Sequence, residues 1–510
     1  MRAFIALALL LAVAAPRAAS AQPADTRLAG FDSYAAQAVA DWRVPGLAVA
    51  IVKDGELIFA KGYGLRELGK PDAVSDRTLF AIGSTTKAMT AAAVGMLVDA
   101  GQVRWDDRVI DHLPGFRLSD PYVTREVTVR DLLTHRAGLG NADFLWYGAD
   151  TTSADIIRRL RFVEPETSLR SHFTYQNIMY AAAGELVAAV SGQPWDAFVR
   201  TRIFAPIGMT ETIATAATLA RQPDVASPHF NIDGAVTVIR NASVDPVAPA
   251  GAVWSNVHDM SLWLRFLLNG CATNANATPL LKPETCAELF KPQTMVGADQ
   301  FYPTARLTAP HWTTYGLGWF QEDYAGRAVD FHTGSIDGMV AIAGLIRDER
   351  LGIIVLANLD HAEVRHALMY RVFDLFGAGA KSTDTRRDWS AELRTLYAGL
   401  ADEARAARQK AEAARVSGTK PSLAIDRYAG TYADPLYGTV TVSVSVSGEN
   451  GALRLRYGTG FDGTLEHWHY DTFKARWTSA WIESSFVTFA LDARGVPASL
   501  DFNGLRFTRQ

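Results

Sequence analysis

Two apolar runs meet at Asp54-Gly55, residues 47–53 before it and 56–64 after it. Aliphatic and aromatic residues on both sides of an Asp-Gly pair specify a tight hairpin. A lone two-stranded hairpin is marginal in water, so it needs partner strands. Comparable runs return only far downstream, at 328–332, 340–346 and 352–356. Between them the pattern is mostly helical, with helices expected at 127–134, 154–160, 178–191 and 257–269. Further helices are expected to flank the sheet, at 28–41 before it and 361–376 after it. Strands at both ends with helices between them predict an α/β domain whose sheet joins the two ends of its segment. Pro206, Pro223, Pro228, Pro246 and Pro249 mark an irregular stretch inside it.

The pattern changes after residues 377–383. Residues 389–415 form a charged, alanine-rich helix with Leu393, Leu396 and Leu400 on one stripe, which suits a connector. From Leu423 the chain alternates polar and apolar residues, as in 439–446, and carries Gly, Asp and Asn turns. That is a small all-β barrel or sandwich. At the other end, Arg2, an apolar stretch over 4–15 and Ala19-Ser20-Ala21 form an export signal with cleavage after Ala21. The expected organisation is a signal peptide at 1–21, a catalytic domain at 22–380, a helical linker at 381–422 and a β-barrel at 423–510. The apolar part of the leader is too short to remain as a membrane span, and the mature chain is expected in the periplasm or outside the cell. In that oxidising setting Cys271 and Cys286, the only cysteines, are expected to pair. A formal charge of −4 without a dense Lys/Arg run argues against nucleic-acid binding.

Ser84 and Lys87 stand one helical turn apart at the start of an alanine-rich helix, after the apolar run 79–82. A serine hydroxyl needs a base, and an amine can serve if its surroundings keep it neutral. The same pair also suits a helix cap and a solvated lysine. Tyr175-Gln176-Asn177 could place a proton-handling phenol and a carbonyl-gripping amide on one side of a loop, or simply open the next helix. His332-Thr333-Gly334 follows a strand, and the backbone N–H of Ser335 just beyond could pair with that of Ser84 as an oxyanion hole. It could equally be an ordinary turn. His467, His469 and Asp471, if on one strand, would share a face that a metal could use, or would be a polar face over Trp468 and Tyr470.

The order Ser84-x-x-Lys87, Tyr175-x-Asn177, His332-Thr333-Gly334 resembles the serine β-lactamase-like family of penicillin-recognising hydrolases over residues 28–376. Residues 128–139 and Tyr315-Gly316-Leu317-Gly318-Trp319 are similar too. The resemblance implies an antiparallel sheet flanked by a helical region, with no metal or cofactor. It also implies a catalytic set of Ser84 as acylated nucleophile with Lys87 and Tyr175 sharing the proton. Asn177, His332, Thr333, Gly334 and Ser335 would bind substrate. Residues 423–510 resemble the lipocalin-like barrel appended to some peptide-cutting members. His332 stands where β-lactamases carry lysine, so a permanent cation for a substrate carboxylate is missing. The expected reaction is therefore peptide or amide hydrolysis on small substrates. These include peptides with D-residues, such as cell-wall fragments or linearised microcystin-type peptides. The alternatives are an esterase, a β-lactamase, or a binding or sensor protein without turnover.

Overall fold

The computed structural model describes residues 25–273, 279–377, 386–445 and 452–510. The expected leader at 1–21 lies outside these residues. Strands β1 (Gly46–Lys53) and β2 (Glu56–Gly64) form the hairpin around Asp54-Gly55, with one register shift between Ile51 and Val52. Four downstream strands follow: β3 (Phe320–Tyr324), β4 (Arg327–Ile336), β5 (Met339–Ile346) and β6 (Leu351–Ala357). They form one antiparallel sheet in the order β2-β1-β6-β5-β4-β3, extended past β3 by two short strands. Leu47 faces Ala357 and Lys53 faces Leu351, so the two ends of the segment meet inside the sheet, one strand in from its edge.

The central strands read as unbroken apolar runs because both faces are covered. Along β1, Ala48, Ala50 and Val52 point into one core, and Leu47, Val49 and Ile51 into a second. The first core holds the helices α1 (Thr86–Asp99), α2 (Asn177–Ser191) and α3 (Val257–Leu268). The second holds Phe31–Asp41 and α4 (Val364–Phe376). Helix α1 is buried from Thr86 to Leu97 on every side, as its uniform Ala/Met/Val surface requires. Cys271 and Cys286 are disulfide-bonded.

One expected helix does not form. Residues 127–134 hold only the 3₁₀ turn Asp131–Leu133. The Asp131 carboxylate accepts hydrogen bonds from the Thr128 N–H and hydroxyl, and from Arg136 and Arg170. Such local side-chain bonds compete with a helix ladder. A helix over Trp389–Ala413 then leads to eight strands, from Gly430–Asp434 to Leu505–Arg509, that close into a barrel with its own aromatic core. Its strand Phe461–His469 ends before Asp471, whose carboxylate accepts from Ser422 and Tyr428. His467, His469 and Asp471 therefore do not share one strand face. No group of metal-ligating side chains occurs among the described residues, and no helix there is long and apolar enough to cross a membrane.

Candidate active site

Strand β4 pairs with β3 only as far as Phe331, while its outer half, His332 to Ile336, pairs with β5 alone. The edge so left free faces the 3₁₀ turn Gly83–Thr85, which carries Ser84 into α1. A Cβ on Gly334 would lie 1.9 Å from the Ile82 carbonyl oxygen, and one on Gly83 would lie 2.6 Å from the Ser335 nitrogen. Only glycine allows this backbone approach, which sets the Ser335 nitrogen against the turn that carries Ser84.

Lys87 points from the first turn of α1 into this corner and is fully buried. Its Nζ lies 2.9 Å from Ser84 Oγ, 2.7 Å from Asn177 Oδ1 and 2.9 Å from the Ala250 carbonyl oxygen. Burial pushes its pKa down to about 7, against the pull of the Asp143 carboxylate. Near neutral pH a large share of Lys87 is thus the free amine that Ser84 requires. Tyr175 faces Lys87, whose Nζ lies 4.7 Å from its ring centroid, and burial raises the phenol's pKa well above the usual value. Tyr175 is therefore protonated and suited to donate a proton, whereas Lys87 is suited to accept one. Its ring packs against His135, with centroids 4.4 Å apart. His135 also accepts the Thr174 N–H at its backbone oxygen and the Gln176 N–H at Nδ1, so both neighbours of Tyr175 are tied to one residue.

Asn177 Nδ2 donates to both oxygens of Asp143, at 3.1 and 3.2 Å. Only the amide nitrogen can donate to a carboxylate, so this bond fixes Oδ1 toward Lys87. Behind the oxyanion corner, Arg365 donates to the Gly334 carbonyl oxygen at 2.7 Å and to Ser335 Oγ at 3.0 Å. Its charge is balanced by buried Glu363, which also holds His366. A guanidinium on the Gly334 carbonyl polarises the peptide whose other end is the Ser335 N–H, which strengthens that donor.

The structure thus brings Ser84, Lys87, Tyr175, Asn177, Gly334 and Ser335 together. His332 and Thr333 lie elsewhere in the wall. The His332 ring is buried behind the cleft, with Nε2 3.1 Å from the Tyr315 hydroxyl and Nδ1 2.6 Å from the Thr333 carbonyl. Burial lowers its pKa to about 3, so it is neutral under ordinary conditions. Thr333 bonds the Tyr302 hydroxyl at 2.7 Å. Sequence reading did not single out Asp143, His135 or Arg365. His135 falls in the family-like run 128–139, which was a usable signal, whereas Asp143 and Arg365 belong to no motif. From Ser335 a cavity of about 600 Å³ runs toward the barrel, between Trp146 and Tyr147 on one side and Trp481 on the other.

Comparison with known proteins follows the same division of the chain. A profile of the family described as Beta-lactamase matches residues 31–375, and one described as a domain of unknown function (DUF3471) matches 414–510. The unguisins hydrolase ungD of Aspergillus violaceofuscus is 28% identical over 505 residues, covering 92% of this chain and 87% of the relative. Protein flp of Staphylococcus aureus (strain COL) is 24% identical, covering 62% of this chain and 60% of its own. Among solved structures, the octameric penicillin-binding protein homologue from Pyrococcus abyssi superposes with a TM-score of 0.62 at 21% identity, over 94% of this chain and 100% of that one. SurE with D-Leu gives 0.55 at 19% identity, over 95% and 100%.

Proposed function

The chain belongs to the Beta-lactamase family and is a serine hydrolase, and from that premise we propose that it is an exported peptidase or amidase acting on small peptides, including those with D-residues. The observation that carries this reading is Lys87, buried against Ser84 with its pKa brought down to about 7. In the proposed cycle Ser84 Oγ attacks the amide carbonyl as Lys87 takes its proton. The N–H groups of Ser84 and Ser335 hold the oxyanion, and Tyr175 protonates the departing amine. Lys87 passes its proton on to Tyr175 and is neutral again, so it can deprotonate the water that attacks the acyl carbon, and the proton returns to Ser84 Oγ as the acid leaves.

Amide substrates are supported by the neutral His332, which offers no permanent cation to the carboxylate of a β-lactam. They are supported also by a full-length relative named a hydrolase of unguisins and by a neighbour solved with D-Leu. Export is supported by the Cys271–Cys286 disulfide together with the leader-like N-terminus. The test is labelling by a fluorophosphonate, followed by a panel of D- and L-aminoacyl amides, short esters and a chromogenic cephalosporin. Labelling lost in Ser84→Ala, with amides turned over fastest, is expected. Equal labelling of Ser84→Ala overturns the nucleophile, and cephalosporin turnover far above the amides overturns the substrate class.

A further inference from the structure

Residues 141–149 of the catalytic domain carry two sets of contacts that face opposite ways. On one side Asp143 holds Asn177, and its Oδ1 also accepts the Trp146 indole N–H at 2.8 Å. On the other side the loop enters the mouth of the C-terminal barrel. The Phe144 ring stacks on Phe461 at 5.1 Å and meets Phe502 edge-on at 5.8 Å, inside the barrel's own aromatic core. Tyr457 donates its hydroxyl to the Phe144 carbonyl at 2.6 Å. The Thr459 and Gly460 N–H groups both donate to the Gly148 carbonyl, at 3.0 and 2.9 Å. A second link closes beside it, where the Tyr147 hydroxyl and the Trp481 indole N–H both donate to Asp337, two residues past Ser335.

We propose that the C-terminal barrel is a positioning element of the acyl-transfer centre, holding the loop from which Asp143 locks Asn177 against Lys87. This rests on the acyl-transfer reading above and gives the second domain a task in the chemistry itself. The barrel seats Phe144, Phe144 carries its neighbour Asp143, Asp143 fixes the Asn177 amide, and that amide accepts from Lys87. Without the barrel, Ala142, Leu145 and Trp146 still pack on the catalytic core, but Phe144 and Tyr147 lose the apolar surface they settle on. The Asp143 carboxylate would then spend part of its time away from Asn177, and displacements of about 1 Å in such supports cost up to about 100-fold in rate.

The experiment measures the rate of Ser84 acylation by a fluorophosphonate against pH in the full chain. The parent is compared with Asp143→Ala, Phe144→Ala and the double variant. Both single variants are expected to acylate about 10- to 100-fold more slowly. The double variant should be no slower than Asp143→Ala, because both changes act through one carboxylate. In both, the acid limb of the profile should move to lower pH, since Lys87 loses a nearby negative charge. A loop that merely stabilised the fold would leave that limb in place. If Phe144→Ala does not accumulate, Tyr457→Phe keeps the barrel ring and removes the hydroxyl that donates to the Phe144 carbonyl, and a smaller slowing with the same shift is expected. A parent not labelled at Ser84 overturns this proposal along with the function it rests on. A labelled parent with the barrel-side variant at parental rate and pH profile, or with effects that multiply in the double variant, overturns this one alone.

Discussion

Lys87 and Glu322 are two buried ionisable groups in the two cores of one domain, and both titrate near neutrality. Lys87 is lowered to about 7 and Glu322 on β3 is raised to about 7, each chiefly by desolvation. Their surroundings set their use. Lys87 meets two carbonyl oxygens and the Ser84 hydroxyl. Glu322 accepts the Tyr370 hydroxyl at 2.6 Å and the Thr308 hydroxyl at 3.1 Å and is fully buried. A perturbed pKa therefore marks burial first, and function only where a reacting atom lies within reach.

The signs differ as well. Glu322 holds its proton more tightly folded than unfolded, so its contribution to stability is full below the ordinary carboxylate range and is lost as pH rises to about 7. Lys87 holds its proton less tightly folded than unfolded, so its contribution grows as pH rises from about 7 toward the usual lysine value. The joint contribution of these two groups to stability is therefore smallest near pH 7.

The largest expected effect comes from breaking the functional half. Lys87→Met should slow acylation of Ser84 by about 10²- to 10⁴-fold, as loss of a general base does. The same variant should flatten the rise of stability above neutral pH, read by urea unfolding across pH; acylation near the parental rate would remove Lys87 from its role. Next, Arg365→Met leaves Glu363 buried without its cation and should cost about 3–5 kcal/mol in urea unfolding. A loss under 1 kcal/mol would mean that the pair is not holding the strand behind Ser335. Glu322→Gln should raise stability at pH 8 by up to roughly 3 kcal/mol, leave pH 4 stability little changed and keep the parental acylation rate. A fall in acylation would show that the second core is not separate from the chemistry. Smallest of all, His332→Asn should leave the midpoint of the acid limb near pH 7, because His332 carries no charge in that range. A displaced midpoint would return His332 to the titrating set.

Much of this was legible in the sequence. The Asp54-Gly55 hairpin, the downstream strands and the alternation after Leu423 are patterns of local periodicity, and the structure contains them. Ser84 with Lys87 and Tyr175 with Asn177 were legible because each pair is close along the chain. Asp143 was not, since it meets Asn177 only after the chain between them has folded, and Arg365 acts through a carbonyl, which leaves no mark in side-chain spacing. His332 was placed on the wall from its motif. Its burial depends on Tyr315 and Phe320, two aromatic residues whose packing no local pattern announces. The absent helix at 127–134 has the same origin, because Arg170 binds Asp131 from a distant segment.

The pairing of β1 with β6 also sets a timetable for folding. Leu47 finds Ala357 only after everything between them has been made, and the helices on either face need that sheet to pack against. Contacts of such long separation form late, after a large loop-closure cost. A nascent chain would thus carry Leu47, Val49 and Ile51 without their cover for most of its synthesis, a state that chaperones must hold. For the exported chain proposed above, that delay would be an advantage. The strand that completes the sheet is among the last parts of the catalytic domain to arrive, so the sheet closes only once nearly all of that domain has been made.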